Sequence, residues 1–196
     1  DNIEDIIGGA GSDTLVGLDA AATWDLTTET DHRYNNNSAG RSLKFSSFEK
    51  LVGGSDVDTY QFAGSQALNF YGRDGDDQFI FADQAVLDGI VDGQVGSDAF
   101  DLVAYTQGID VLLSGTGSID SFVGSISGVV TRFENIDILI TGSGPDSLTG
   151  LDAVSQWNLD ATTSYQSLGR TLIFSGLDQL NSGSSADTFL IHSDQD

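Results

Sequence analysis

The residues with the clearest chemical potential are aspartates that recur in glycine-rich turns. Asp58, Asp77 and Asp98 lie 19 and 21 residues apart, and each closes a short glycine-containing segment. Calcium binds six to eight oxygen ligands in flexible geometry, and glycine-rich turns can expose backbone carbonyls beside a carboxylate. Stacked turns of this kind would offer carbonyls from one turn and carboxylates from two. The sequence therefore predicts calcium as a cofactor at these positions.

Six segments carry the nonapeptide pattern G-G-x-G-x-D-x-U-x, in which U is a large apolar residue. Gly8–Val16 fits every fixed place, and looser copies begin at Gly53, Gly72, Gly93, Thr141 and Ser182. The predicted metal ligands are the sixth-place aspartates and three acids beside them: Asp13, Asp56, Asp58, Asp74, Asp76, Asp77, Asp98, Asp146 and Asp187. The alternative for all of them is an Asp-turn, in which the carboxylate accepts hydrogen bonds from nearby backbone.

The chain also contains a long internal repeat. Ile3–Leu26 matches Ile136–Leu159 at twelve of 24 positions, and Gly40–Tyr60 matches Gly169–Phe189 at ten of 21. The two matches have different offsets, so a length difference falls in residues 27–39. The sequence predicts a variable surface loop for that segment.

Short runs with apolar residues at every second position predict β-strands along the whole chain, as at Tyr60 and Phe62. Glycines separate these runs, and no amphipathic helix is visible. Recurring turns predict coils of about 20–24 residues, because stacked coils place the same turn at the same corner. The predicted fold is all-β: a right-handed parallel β-helix, or β-solenoid. It would span residues 1–196 as a single segment, with one long repeat in 1–132 and the first half of the next in 133–196.

Composition excludes several classes of partner. The 30 acidic residues against seven basic ones give a net charge of −23, so neither nucleic acid nor an anionic membrane is a predicted partner. No run approaches the roughly 20 apolar residues of a membrane span, and membrane insertion is not predicted. The absence of cysteine excludes disulfides and thiolate metal sites. The predicted partners are adjacent solenoid coils or further copies of the chain, with surface glycans as a further possibility.

The nonapeptides resemble the RTX, or haemolysin-type, calcium-binding repeats of bacterial secreted proteins. The blocks Phe48-Glu-Lys-Leu and Phe133-Glu-Asn-Ile, each leading into a Gly/Asp turn, resemble those of large repetitive surface proteins and adhesins. The resemblance implies secretion to the cell surface or the extracellular space, calcium, and a parallel β-roll or β-helix. RTX arrays run their nonapeptides in tandem, whereas longer coils separate them here.

These observations favour a non-catalytic function: a structural or adhesive segment of a giant extracellular protein. The alternatives are a β-helix polysaccharide lyase, epimerase or hydrolase, and a carbohydrate-binding module that stacks sugars on Trp24 or Trp157. An enzyme for acidic sugars would gather basic residues in a groove, and the seven present are dispersed. His32 and His192 do not occupy matching repeat positions, so neither a catalytic nor a zinc pair is predicted from them.

Overall fold

A computed structural model describes residues 3–28 and 31–191, and this part of the chain contains strands and turns but no helix. The all-β prediction is confirmed. The strands are β1 (Asp5–Ile7), β2 (Thr14–Val16), β3 (Ala22–Leu26), β4 (His32–Asn36), β5 (Arg41–Ser46), β6 (Lys50–Val52), β7 (Asp58–Phe62), β8 (Ser65–Gln66), β9 (Asn69–Asp74), β10 (Gln78–Phe81) and β11 (Val86–Val95). They continue with β12 (Ala99–Asp101), β13 (Asp110–Thr116), β14 (Phe122–Ile126), β15 (Val130–Ile136), β16 (Ile138–Ile140), β17 (Ser147–Thr149), β18 (Ser155–Asn158), β19 (Ser164–Ser167), β20 (Arg170–Ser175), β21 (Gln179–Asn181) and β22 (Asp187–Leu190).

The strands form two sheets with mixed pairing. Sheet one has the order β1-β5-β4-β3-β7-β10-β12-β16-β20-β19-β18-β22. Sheet two has the order β2-β6-β9-β11-β15-β14-β13-β17-β21, and β8 also pairs with β11. The chain passes repeatedly from one sheet to the other. Turns therefore recur where it crosses, and these crossings carry the Gly/Asp motifs.

The middle of the molecule is built from parallel strands only, and we call strands β6, β7, β9, β10, β11 and β12 the parallel stack. In sheet one, Tyr60 pairs with Phe79 and Phe79 with Phe100. In sheet two, Leu51 pairs with Phe70 and Phe70 with Val91. Both sheets therefore advance by the same two steps, 19 and then 21 residues, which are also the spacings of the aspartates.

Three antiparallel meanders interrupt this parallel pairing: β3–β4–β5, β13–β14–β15 and β18–β19–β20. The sequence analysis did not predict them. The predicted surface loop at residues 27–39 is wrong for His32–Asn36, which forms the middle strand of the first meander and buries Tyr34 and Asn36. Polar residues at alternate positions made this strand resemble a loop in the sequence.

Each meander folds back on itself in the same way. Its first strand pairs in parallel with the next strand of the same sheet after the meander, as β3 does with β7. Its last strand pairs in parallel with the strand of that sheet before the meander, as β5 does with β1. One meander lies in sheet one and the next in sheet two, so each sheet gains two extra strands per repeat. Both sheets advance by seven strands, from β1 to β16 and from β2 to β17.

The two copies of the repeat pair their strands identically. β16 to β22 reproduce β1 to β7, including the meander and the parallel pair β18–β22 that corresponds to β3–β7. Trp24 and Trp157 occupy equivalent places, and both are fully buried. The predicted equivalence of the two copies is confirmed for their described residues.

The core lies between the sheets and is rich in aromatic residues. Tyr60 stacks between Trp24 and Phe79, with ring centroids 5.8 and 4.8 Å apart. Phe70 of sheet two packs edge-on against Phe62 of sheet one at 4.8 Å. Such pairs add about 0.5–1.5 kcal/mol each beyond the burial of their area. None of the described residues forms a helix long and apolar enough to span a membrane.

Candidate functional site

The candidate site is a row of aspartates at the crossings from sheet two to sheet one. Asp58 begins β7, and Asp77 and Asp98 directly precede β10 and β12. Because these three strands pair in parallel, their preceding residues stack in successive layers. The prediction that these aspartates line up along one edge is confirmed.

Hydrogen bonds between side chain and backbone connect the row. The backbone N–H of Asp58 donates to Oδ1 of Asp77 at 2.7 Å, and that of Asp77 donates to Oδ1 of Asp98 at 2.9 Å. The row extends at both ends. Ala22 N–H donates to Oδ1 of Asp58 at 3.0 Å, and Asp98 N–H donates to Oδ2 of Asp137 at 3.1 Å. We call Asp58, Asp77, Asp98 and Asp137 the aspartate ladder.

The ladder is buried, which disfavours its charged form. Asp58, Asp77 and Asp98 have no exposed surface, and Asp137 is partly buried. Burial raises the pKa of Asp77 to about 8, of Asp98 to about 7, and of Asp58 and Asp137 to about 6, although hydrogen bonds from the backbone oppose the shift. Part of the ladder therefore holds protons near neutral pH.

Glycine is required beside Asp58, Asp77 and Asp98. A Cβ added to Gly72 would lie 2.1 Å from Oδ2 of Asp77 and 2.5 Å from the carbonyl oxygen of Gly93. Gly53 and Gly93 are crowded in the same way by Asp58 and Asp98. The first-place glycine of the nonapeptide thus makes room for the sixth-place carboxylate. Oδ2 of Asp77 and Oδ2 of Asp98 have no hydrogen-bond partner within the described residues.

The acids predicted beside the ladder lie on the surface. Asp56, Asp74 and Asp76 are exposed. Oδ1 of Asp56 accepts from Val57 N–H at 2.9 Å, and Oδ1 of Asp76 accepts from Ser97 N–H at 2.8 Å, one layer away. Asp76 and its buried neighbour Asp77 therefore do not form a pair of facing carboxylates.

The remaining predicted ligands lie elsewhere in the two repeat copies. Asp146 is buried, accepts from Ile109 N–H at 2.9 Å, and donates its own N–H to Oδ2 of Asp178 at 2.9 Å. Its counterpart Asp13 donates its N–H to Oε2 of Glu49 at 2.8 Å. These contacts form two separate short rows at the crossings into sheet two, one in each repeat copy.

Asp187, the counterpart of Asp58, is partly buried and accepts a hydrogen bond from the Ser155 hydroxyl. The acids Glu49, Asp137 and Asp178 were missed by the sequence analysis because they stand outside nonapeptides. Their common signal is an acidic residue directly before a three-residue strand with a central leucine.

The predicted ligands of the parallel stack are divided between the buried ladder and the exposed surface beside it. Among residues 3–28 and 31–191, no three acidic or histidine side chains are grouped so that they could hold a metal ion. Each ladder carboxylate accepts a backbone N–H from a neighbouring layer, and Asp58 also accepts one from its own turn, Gly54 N–H at 2.8 Å, as in the Asp-turn alternative. Calcium binding therefore stays a prediction, and the exposed acids are where it can be tested.

Two other predicted features have structural explanations. Trp24 and Trp157 are fully buried and pack against aromatic neighbours, so core packing describes both. His32 lies beside Phe45 with ring centroids 5.5 Å apart, and His192 falls outside the described residues.

Comparison of the chain with models of protein families, with curated proteins and with solved structures found no match.

Proposed function

We propose that the chain is a non-catalytic structural segment of a giant extracellular repeat protein, in which it forms a β-solenoid that acts as a stiff spacer or adhesive module. The observation that carries the proposal is the equal advance of the two sheets. Both move by 19 and 21 residues in the parallel stack and by seven strands in each repeat. Because each repeat advances both sheets equally, further repeats can be added in series to lengthen the solenoid, as a spacer requires.

The solenoid interpretation is supported by the alternation of strands between sheets. Within the parallel stack, β6, β9 and β11 in sheet two alternate along the chain with β7, β10 and β12 in sheet one. Successive strands of one sheet pair in parallel, as stacked coils do. The right-handed sense remains a prediction from the general preference for right-handed parallel connections.

The aspartate ladder supports a structural function because it joins one layer to the next. Each rung fixes the backbone at a corner and satisfies a buried N–H group that a short strand would leave unpaired. A chain without cysteine cannot hold its layers by disulfides. The ladder and the aromatic stack would supply that cohesion instead.

Neither alternative function gains a supporting observation. The carbohydrate-binding hypothesis depended on tryptophans, and both are buried. The enzyme hypothesis depended on basic residues gathered with acids. Arg33 and Lys44 both contact Asp31 at 3.3 Å, and the pairs Arg73–Asp19 at 3.5 Å and Arg132–Glu134 at 2.7 Å are separate. All four are partly exposed ion pairs, which contribute little.

The proposal keeps the RTX-like assignment, with secretion to the cell surface or the extracellular space. Its partners would be adjacent coils, further copies of the chain and, if the module is adhesive, surface glycans. Calcium would act at the exposed acids Asp56, Asp74 and Asp76, where it would reduce repulsion within a chain of net charge −23.

The test is the length of the particle in solution. Strands about 4.8 Å apart make each seven-strand repeat about 34 Å long. A fusion that carries a second copy of residues 1–133 ahead of Asp1 should therefore increase the maximum dimension in small-angle X-ray scattering by that amount at constant cross-section. A fusion that grows in all directions, or whose added copy stays unfolded by circular dichroism, would contradict the solenoid.

A further inference from the structure

The end of the molecule formed by β1 and β2 carries an open apolar groove. The groove has a volume of about 570 Å³, and its lining includes Ile3, Ile6, Leu15, Leu18, Trp24 and Tyr34. β1 is the last strand of sheet one and β2 the last strand of sheet two at this end, so each has a free edge. Apolar side chains and strand edges together mark a surface that proteins normally cover.

The second repeat copy shows the same surface in a covered state. Leu18 is 60% exposed, whereas its counterpart Leu151 is 7% exposed. Ile3 is 70% exposed, whereas its counterpart Ile136 is 1% exposed. The strands next to these residues, β1 and β2 in the first copy and β16 and β17 in the second, are paired identically within the two copies. The difference therefore comes from what lies outside them.

Three elements cover the second copy. β12 pairs with β16, the counterpart of β1, and places Phe100 opposite Leu139. β13 pairs with β17, the counterpart of β2, and places Val111 opposite Leu148. From β14, the Phe122 ring reaches the Tyr165 ring with centroids 5.3 Å apart. Tyr165 is the counterpart of Tyr34, which lines the open groove.

We infer that the groove is the docking site for another repeat of this kind. The docked repeat supplies a strand like β12, a meander like β13–β15, and an aromatic residue in the place of Phe122. Its register follows from the internal copy. Ile6 lies opposite the counterpart of Phe100, and Leu15 lies opposite the counterpart of Val111. This inference deepens the proposed structural function, on which it rests, by naming the partner and its register.

A fusion tests the inference because the sequence supplies its own junction. When residues 1–133 precede Asp1, Phe133 is followed by Asp-Asn-Ile, where the chain itself continues with Glu-Asn-Ile. The chain has no cysteine, so Leu18→Cys in the original copy is a unique thiol. Leu151→Cys is the matched covered control. Val154→Cys, at a position that is 70% exposed, is the matched open control.

Leu18→Cys should react with a maleimide as fast as Val154→Cys in the unfused chain. In the fusion it should react as slowly as Leu151→Cys, a reduction of about tenfold or more. Phe122→Ala in the added copy should restore part of the reactivity. Ile3→Cys, at a 70% exposed position whose counterpart Ile136 is 1% exposed, repeats the measurement if Leu18→Cys disturbs folding.

Three results would overturn the inference. A thiol that stays fully reactive in a fusion of the expected length shows that the groove does not receive the added repeat, while the structural function stands. Protection that rises with concentration in the unfused chain assigns the groove to the other end of a second copy. A reactive thiol in a fusion that does not lengthen removes the proposed function as well.

Discussion

The parallel stack and the meanders place strands in the same two sheets by different means. In the stack, a strand pairs with one about 20 residues away, and an aspartate at the crossing bonds to the next layer. In a meander, three strands fold back on one another through short turns. Gly40, Gly128 and Gly169 each have positive φ at the second turn of a meander, in open space. Gly53, Gly72 and Gly93 of the stack are needed for space, whereas these three meander glycines are needed for backbone conformation.

This difference explains how each repeat keeps the same number of strands in both sheets. A meander adds two strands to one sheet only, so a single meander would leave the other sheet about 10 Å short. The meander β3–β4–β5 in sheet one is balanced by β13–β14–β15 in sheet two. The stack adds one strand to each sheet per coil, and the paired meanders add two strands to each sheet per repeat.

The largest expected effect comes from breaking this balance. Deleting residues 110–129 removes β13 and β14 and leaves sheet two short by two strands. We expect the deletion to abolish cooperative unfolding in urea, followed by circular dichroism, because the two sheets no longer pack in phase. A second deletion of residues 22–40 removes β3 and β4 from sheet one and should recover part of the lost stability. If the single deletion unfolds as cooperatively as the intact chain, equal strand number is not what aligns the sheets.

The next effect separates the two kinds of glycine. Gly72→Ala should lower the free energy of unfolding by about 2–4 kcal/mol, since the new Cβ meets a buried carboxylate and a backbone carbonyl. Gly115→Ala in β13 is the control, because no heavy atom lies within 4 Å of its added Cβ. It should change the same quantity by less than about 0.5 kcal/mol. If Gly72→Ala and Gly115→Ala lower the free energy of unfolding equally in urea denaturation, the ladder does not depend on the close approach of Gly72 to Asp77.

The parallel stack could be predicted from the sequence, whereas the meanders could not. The stack was predictable because Asp58, Asp77 and Asp98 repeat at the pitch of the strands, so motif spacing and layer spacing coincide. The meanders were not, because antiparallel strands leave no long-range period and the middle strand β4 lies in the segment whose length differs between the copies. The glycine before Arg41 and before Arg170 was a local signal for a hairpin that the repeat comparison contained but did not interpret.

The candidate site was predicted in its positions but not in its bonding. Sequence spacing identified the aspartates that stack, yet it cannot tell whether a carboxylate faces a cation or a backbone N–H. That choice depends on the neighbouring layer, such as Asp58 N–H against Asp77. Asp137 shows the limit most clearly, since it joins the ladder from a segment without a glycine-rich turn.

The pH dependence of stability distinguishes the buried ladder from the surface acids. In the unfolded chain, aspartate loses its proton near its ordinary pKa of 3.8, whereas the ladder keeps protons up to about pH 6–8. The folded state thus binds more protons in that window, and stability falls as pH rises from about 4 to 8. The slope is at most about 1.4 kcal/mol per pH unit for each group.

The variant Asp77→Asn keeps the hydrogen-bond acceptor and removes the titration. It should unfold at a higher urea concentration than the parent at pH 8 and should flatten the pH profile between pH 5 and 8. Asp74→Asn, which changes an exposed acid three residues away, is the matched control and should leave the profile unchanged. A profile that is identical for Asp77→Asn and the parent would show that Asp77 is not held protonated.

The smallest expected effect is that of calcium, and it tests the ladder against the surface around it. A ligand that binds only the folded state stabilises it by RT ln(1 + [L]/Kd), so calcium at ten times its Kd contributes about 1.4 kcal/mol. The melting temperature should rise with millimolar calcium, fall again with chelator, and respond less to magnesium, which demands a stricter octahedral geometry. If calcium binds the exposed acids, Asp56→Asn with Asp76→Asn should remove the response, while Asp77→Asn should keep it. The reverse result would move the ion into the ladder, where Oδ2 of Asp77 and Oδ2 of Asp98 lack partners. A melting temperature that changes with neither calcium nor chelator would show that these aspartates act by hydrogen bonding and not by binding calcium.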